Sequence, residues 1–520
     1  MKSFSKIILL LSIIIISILS CSKDDGPQLS PAEFSADVSS LDFGEVVSNQ
    51  QSNLEIIITN TGEQDLVLES FTLSGTNASD FTVDAVETVI EGDNSYAITV
   101  TLAPTTEGAK AATLTIISNV GEHQIDLTGN AFDYNAIVYI PDTNFKTALL
   151  AQGTGQIAQE GVEVIDLNED GEIQVGEALS YTKTINCTYK EINVLTGIEA
   201  FKNLTTLMIG ANNLTSIDLS NNIALENLTC SNNELISIDL TQNTALKSVD
   251  ISNNKLEDID LSKNLTLESL TLNQNNLTSL DLTNNIQLTT VFVSNNKLEQ
   301  LNISKNIYLT HLDAHFNNLS SLDFSNNISI EDIGCRNNNL VQLDLSKNVG
   351  LKSINFANNL LESIDVSKNI EIINIYIFGN NLSNIDVSQN SKLRTLSIAE
   401  NQLTDLDILN NTSLNHLNVN SNFLSELNFS NNQSLEYLFT ANNQLTQIDI
   451  SNHIYIKRLI CYDNQLISLN IANGNNSNME FMYANGNPDL TCIQIDSSFT
   501  PPSSDNWRKN ETANYSDNCQ

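Results

Sequence analysis

Leu267-Glu-Ser-Leu270-Thr-Leu272-Asn-Gln-Asn275-Asn-Leu277 is one copy of a word that this chain repeats every 21 residues. Leucine or isoleucine opens each copy from Leu204 to Ile456. An asparagine follows eight positions later, from Asn212 to Asn464, and a leucine two further on, from Leu214 to Leu466. Thirteen copies run without an insertion or deletion. Fixed self-similarity at this period predicts a solenoid, a one-dimensional stack in which each coil touches only its neighbours. In Leu270-Thr-Leu272 the alternation turns two apolar side chains inward and the threonine outward, as a strand demands. A single copy cannot bury its apolar edge, whereas stacked copies share a core. At ~4.8 Å per coil, thirteen coils make a rod of roughly 60 Å.

The second half of the word echoes the first: Leu277-Thr-Ser-Leu280-Asp281-Leu282-Thr-Asn-Asn285. It predicts a second strand-like segment and a second asparagine ladder on the opposite side, each asparagine bonding backbone groups that a turn leaves unpaired. The outward positions of the two halves behave differently. In the first half the column reads Thr229, Asp250, Thr271, Phe292, Asp313, Gly334, Asn355, Tyr376, Ser397, Asn418, Phe439, Ile460. In the second half it is almost wholly aspartate, from Asp218 to Asp449, with Asn302 and Asn428 between and Asn470 at the end. Two exposed carboxylates ~4.8 Å apart repel by about 0.9 kcal/mol in water-like dielectric, and less in salt. Either turn N–H groups or bound cations must offset that. Variation on a rigid lattice is what a recognition surface needs, although repeats also drift on an unused face.

The pattern Leu-x-x-Leu-x-Leu-x-x-Asn-x-Leu, in register thirteen times, resembles the leucine-rich repeat family. The resemblance places the first half on the concave face and implies a binding surface rather than a catalytic cleft. Candidate ligand-binding residues there are Phe292, His311, Asp313, His315, Arg336, Tyr376, Arg394, His416, Tyr437 and Phe439. Aromatic residues and arginine dominate binding hot spots. His311-Leu-Asp313-Ala-His315 alternates on one strand, so its three polar side chains share a face that, with a neighbour, offers ligands to zinc. No Gly-x-Ser-x-Gly elbow, phosphate-cradling glycine loop or His-Glu-x-x-His is found, so no enzyme activity is expected.

The flanks read differently. Between residues 33 and 131, stretches such as Leu54-Glu-Ile-Ile-Ile-Thr59 predict strands separated by turns such as Asn60-Thr61-Gly62. Leu41-Asp-Phe-Gly44, Asn60-Thr-Gly62, Asp80-Phe81, Pro104 and Leu127-Thr-Gly129 resemble immunoglobulin-like domains of the ASPM/SPD-2/Hydin type. That resemblance implies a β-sandwich of seven or eight strands without catalytic residues. The expected fold is therefore mainly β: an immunoglobulin-like β-sandwich followed by a leucine-rich repeat solenoid of 21-residue coils.

Residues 137–203 are expected to cap the solenoid and form its first coil, with a helix over Asn144–Leu150 behind Asp142 as N-cap. Within them, Asp166-Leu-Asn168-Glu-Asp170-Gly171-Glu172-Ile173-Gln174-Val-Gly-Glu177 resembles the twelve-residue calcium loop of EF-hand and dockerin-type proteins. The ligands implied are Asp166, Asn168, Asp170, the carbonyl of Glu172, Gln174 through water, and Glu177. Val162-Glu-Val-Ile165 reads as extended, where those families have an incoming helix, so a single structural calcium fits better than a sensor pair. An acidic loop without metal is the alternative. Repeats occupy 204–487, with a two-residue insertion around Asn473–Asn478, and 488–520 is expected to be an irregular C-terminal cap.

Charge and cysteines set the compartment. Lys plus Arg number 23 against 62 Asp plus Glu, a net charge of -39, which disfavours nucleic acid and anionic membrane surfaces as partners. Lys2, Lys6 and the apolar run Ile7–Leu19 make residues 1–20 a signal peptide, too short to span a bilayer. Ile18-Leu19-Ser20-Cys21 resembles a bacterial lipobox, which implies lipidation of Cys21 and a tether over 21–32. The following Ser22-Lys23-Asp24-Asp25 resembles the signal that sends some lipoproteins to the outer face of the outer membrane. Cys230, Cys335 and Cys461 share one core column, joined by Cys187 if the first coil has 22 residues. Cys492 and Cys519, beyond the repeats in an exported chain, are expected to form a disulfide. The expected function is non-enzymatic: a surface lipoprotein whose solenoid binds a protein or glycan partner, attached to the membrane through its lipid only. A spacer or surface-layer element without a ligand is the alternative.

Overall fold

The computed structural model describes residues 28–154, 162–502 and 504–519. Cys21, the signal peptide and the lipobox lie outside the described residues. The chain divides into two compact units, one ending at Asn135 and one beginning at Ala136.

The first unit is a β-sandwich. Its strands are β1 (Phe34–Ala36), β2 (Ser40–Val47), β3 (Ser52–Asn60), β4 (Leu66–Ser74), β5 (Phe81–Asp84), β6 (Thr88–Ile90), β7 (Ser95–Leu102), β8 (Gly108–Ser118) and β9 (Gly121–Phe132). One sheet has the order β1-β3-β7-β5 and the other β2-β9-β8-β4-β6. All pairs are antiparallel except β2 with β9. That makes nine strands rather than seven or eight, because β1 and β6 are three-residue pieces at sheet edges. Alternating residues such as Ile56, Ile58, Ile98, Val100, Leu114 and Ile116 face inward and are fully buried.

The words that carried the resemblance have structural work. Asn60 is fully buried and satisfies all its bonds. Its amide donates to the carbonyls of Gln64 and Ile90 at 2.8 and 2.9 Å, and its oxygen accepts from the N–H groups of Glu33 and Gly62. Gly62 must be glycine, since a Cβ there would lie 1.9 Å from the Pro31 carbonyl oxygen. Asp80 holds the buried Lys110 ammonium at 3.1 Å.

The second unit begins with the cap. The helix Thr143–Leu150 starts behind Asp142, whose Oδ1 accepts from the N–H groups of Asn144 and Phe145. Its Oδ2 accepts from Asn193 and Val194 and so ties the helix to the first coil. Phe145 and Leu149 are fully buried against the end of the core.

A sixteen-stranded parallel sheet follows, from Thr184–Asn186 to Trp507–Lys509. The first step is 22 residues, Thr184 opposite Thr206, which brings Cys187 into the core column. Steps of 21 carry the register from Thr206 to Arg458, then 23 to Phe481 and 25 from Met482 to Trp507. Leu270 is fully buried and Leu280 nearly so.

The first asparagine ladder bonds in every direction. Asn338 accepts the Leu319 N–H at 3.0 Å and donates to the carbonyls of Ala314 and Cys335. In the second ladder, Asn348 donates to the carbonyls of Phe324 and Asn327, and its own oxygen has no partner.

Two expectations need correcting. The second strand-like segment is a regular strand only in the last coils, at Gln447–Asp449, Ser468–Asn470, Cys492–Gln494 and Asn514–Ser516. Earlier coils show isolated bridges, Asp281 with Asn302 and Asp407 with Asn428, and are otherwise held there by turns. Nor is 488–520 irregular: its strands extend both sheets, and Trp507 packs against Phe499 and Tyr515 to close the core. Cys492 and Cys519 are disulfide-bonded.

Candidate functional site

From Thr206 to Ile460 each strand of this sheet is three residues long, with its middle residue buried and, except at Ser397, its outer two half-buried on the sheet face. The turn after the strand is left-handed in every coil before the last. Its φ is positive at Ala211, Asn232, Asn253 and onward to Asp463, with Gly379 and Gly486 in the same column. This repeated turn aims the residue two places past each strand along the same face.

The structure distributes the ten predicted face residues among three places. Phe292, His311, Asp313, His315 and Tyr376 come together with Asp332, Gly334 and Asn355 around one notch of about 270 Å³. Gly334 opens it: a Cβ at that position would lie 2.8 Å from the His315 ring. Arg336 sits beside it, its guanidinium 5.7 Å from the Phe316 ring and 5.4 Å from the Phe378 ring, with a buried Nε that has no partner. Cations over aromatic faces are held by the ring quadrupole.

His416, Tyr437 and Phe439 form a second cluster further along, with ring centroids 5.3–6.5 Å apart. Burial lowers the pKa of His416 and of His315, so both rings favour the neutral form. Arg394 stands apart. It is exposed and precedes its strand, in the column of Lys247, Lys352 and Lys457. Those lysines pair with glutamates one coil earlier, so this margin is a charge ladder rather than part of the face.

His311, Asp313 and His315 do not converge on one point, although they share the strand face. His315 lies back over Gly334, where its Nδ1 accepts the Arg336 N–H at 2.7 Å. Asp313 accepts the His315 N–H at 3.1 Å. Strand pairing instead sets His311 opposite Asp332 of the next coil, with Nε2 and Oδ2 3.2 Å apart.

Sequence reading missed other members. Arg458 stacks on Tyr437 and Phe481 at 5.4 and 5.0 Å, and Arg508 on Tyr483 at 4.7 Å, which extends the second cluster. The steps of 23 and 25 residues hid these columns, although counting outward from Met482 finds Phe481 and Tyr483. Also missed was an exposed apolar ridge at the turn corner, Leu265, Ile286, Ile307, Ile328, Val349 and Ile370. It sits at one position of six consecutive coils.

The aspartate column resolves in favour of backbone bonding. Asp344 accepts the Ser346 N–H at 2.9 Å and Asp365 the Ser367 N–H at 2.8 Å, and every member from Asp218 to Asn470 repeats the contact two residues on. Backbone and side-chain hydrogen bonds from that residue hold Asp218, Asp239, Asp260, Asp281, Asp323, Asp344, Asp365 and Asp386 below the usual carboxylate range.

The loop 166–177 is tightly bonded. Asp166 accepts from the N–H groups of Asp170 and Gly171, the latter at φ 80°. The mostly buried Glu177 accepts from Leu167, Asn168 and Gln174 and opens the helix Val175–Ser180. Asn168 and Gln174 both reach Asp170 Oδ2, at 3.0 and 2.8 Å, so their side chains converge where a cation would sit. Glu172 turns its carboxylate outward to Lys146 at 2.6 Å, leaving only its carbonyl for the loop. The preceding residues 162–165 are not helical. Carboxylates, side-chain amides and one carbonyl make a donor set of the oxygen type that calcium takes. The carboxylates of Asp166, Asp170 and Glu177 nevertheless do not all three come within 4.8 Å of one another.

Residues 27–125 match the family described as abnormal spindle-like microcephaly-associated, ASPM-SPD-2-Hydin. The coils are of the leucine-rich repeat type. The functional domain of InlJ from Listeria monocytogenes, described as including a cysteine ladder, is 28% identical over 68% of this chain and 80% of that one, with a TM-score of 0.58. An internalin, inlF, from the same organism is 20% identical over 74% of this chain and 98% of that one, with a TM-score of 0.45. No curated protein matches. Both architectures are binding-type folds, and a fold does not name its partner. Among the described residues no helix is long and apolar enough to cross a membrane.

Proposed function

We propose that this protein is a non-enzymatic surface lipoprotein, anchored at Cys21 in the outer membrane, whose solenoid sheet face binds a protein or glycan partner. One observation carries the reading. Aromatic, arginine and histidine side chains gather on the one wall where coils differ, at the notch around Gly334 and at His416, Tyr437, Phe439 and Arg458. The outward column of the opposite wall keeps aspartate or asparagine throughout. A spacer needs no such clustering, while a binding face needs desolvated aromatic and arginine anchors. The net charge of -39 favours neutral or cationic partners over nucleic acid.

The loop Asp166–Glu177 holds calcium in this reading, through Asp166, Asn168, Asp170, the Glu172 carbonyl, Gln174 and Glu177. The ion would pin the cap that closes the core. Calcium should raise the melting temperature of the wild type and not that of Glu177→Gln.

The binding reading is tested with the 33–520 fragment. Extracts of host cells, and separately arrayed glycans, are captured on wild type and on a variant with alanine at Tyr376, His416, Tyr437 and Arg458. Loss of a specific partner with an unchanged melting temperature is expected. Identical capture by both proteins leaves the spacer reading. Cys21→Ser should move the full chain from the membrane to the soluble fraction.

A further inference from the structure

We propose that His311, Asp332 and Glu331 form a divalent transition-metal site where the sheet face meets its charged margin, distinct from the loop at 166–177. Among the described residues these are the one group of three His, Cys, Asp or Glu side chains whose ligand atoms all lie within 4.8 Å of one another. Stacking makes the site. Pairing in register sets His311 opposite Asp332, and Glu331 precedes Asp332 by one residue.

Hydrogen bonding orients the imidazole. The Thr310 hydroxyl lies 2.9 Å from the Thr289 carbonyl, which already accepts the N–H groups of Thr310 and His311. It also lies 2.8 Å from His311 Nδ1, where it donates or accepts according to the tautomer. Either way it holds Nε2 facing Asp332 Oδ2 at 3.2 Å. The bridge between ring and carboxylate is either the Nε2 proton or a metal ion that takes its place.

The geometry suits the ion. Two ligands each about 2.0 Å from a tetrahedral zinc lie roughly 3.3 Å apart. The Thr310 hydroxyl on Nδ1 is the kind of outer partner that orients metal-bound histidines. Lys352 engages only Oε2 of Glu331, at 2.7 Å, which leaves Oε1 as a ligand atom. One imidazole and two carboxylates suit zinc or cobalt better than calcium. All three residues are half-buried, so the remaining coordination positions open to water or to a donor from outside.

The experiment titrates Co²⁺, then Zn²⁺, into the 33–520 fragment with calcium in excess to fill the other loop. Visible absorption and calorimetry report binding. One cobalt per chain is expected, displaced by zinc and weakened at least tenfold in His311→Gln and in Asp332→Asn. His315→Gln, in the same notch, should bind as the wild type does. Proton NMR of the His311 ring separates the two bridges. Zinc should shift Nε2-side resonances at a pH where the ring is neutral. Absence of binding, binding that survives His311→Gln, or a ring that responds to pH and not to zinc would overturn the site and leave a hydrogen-bonded histidine–aspartate pair.

Discussion

The two long walls of the solenoid are built by two halves of one word, and they are held in different ways. On the sheet side, backbone ladders run unbroken from coil to coil, and each buried asparagine both donates and accepts, as Asn338 does. On the opposite side regular strands form only near the C-terminus, and the buried asparagines from Asn222 to Asn432 donate while their oxygens go unpartnered. A wall whose backbone is fully paired tolerates any side chain on its outer surface. A wall held by turns depends on the side chains that make them. This explains why the sheet face varies while the other keeps aspartate.

Exchanging single residues between the walls should expose that difference. Asn338→Ala strands the Leu319 N–H and two buried carbonyls. We expect a loss of about 3 kcal/mol in chemical denaturation. Asn348→Ala strands two carbonyls and no N–H, and removes an oxygen that had no partner, so about 1–2 kcal/mol is expected. Equal losses would mean that the two ladders contribute alike. Reducing Cys492–Cys519, which joins the strand Cys492–Gln494 of the turn-held wall to the C-terminus, should cost about 2–4 kcal/mol. Hydrogen exchange should show that loss confined to the last coils.

Acid should act on the aspartate wall first. The carboxylates from Asp218 to Asp386 titrate below their ordinary value of 3.8 in the folded chain, because hydrogen bonds from the turn favour the charged form. The stability they supply is complete above that value and is lost as pH falls through the lower, folded one. Melting temperature should therefore hold from neutral pH down to about pH 4 and decline below it. Asp344→Asn with Asp365→Asn should melt like the wild type at neutral pH, in calcium or in chelator, since Asn302 and Asn428 already make the same contact. The pair should flatten the acid decline. A drop seen only in calcium would restore cation bridging. The smallest effect is expected at the apolar corner, where Ile307→Glu with Ile328→Glu should change stability by no more than about 0.5 kcal/mol, as exposed sites do.

The fold was legible because it is periodic. A spacing of 21 forces Leu270 above Val249 and below Val291, and no other arrangement hides all three. The N-cap at Asp142 and the disulfide at Cys492 were local readings of similar security. The site was less legible, because it depends on pairs in different coils. His311 was read along its own strand toward Asp313 and His315, whereas its contact lies across the sheet at Asp332. Columns are the right unit, but the sheet face has two outward columns, and the sequence pattern was read along the one through Asp313. The column of His311, Asp332 and Arg458 carries as much of the chemistry. Where the step lengthens beyond Arg458, counting by 21 fails, and Phe481 and Tyr483 drop from view.

Cys187, Cys230, Cys335 and Cys461 are spread along the rod, each fully buried and unbridged, with burial pushing the thiols at both ends up to about 12. A sulfhydryl reagent reaches one of them only when its own turn of the stack comes apart. The molecule thus carries four internal clocks. The order in which they are labelled would say whether the stack frays from its helix-capped end, from the bridged end or from the middle.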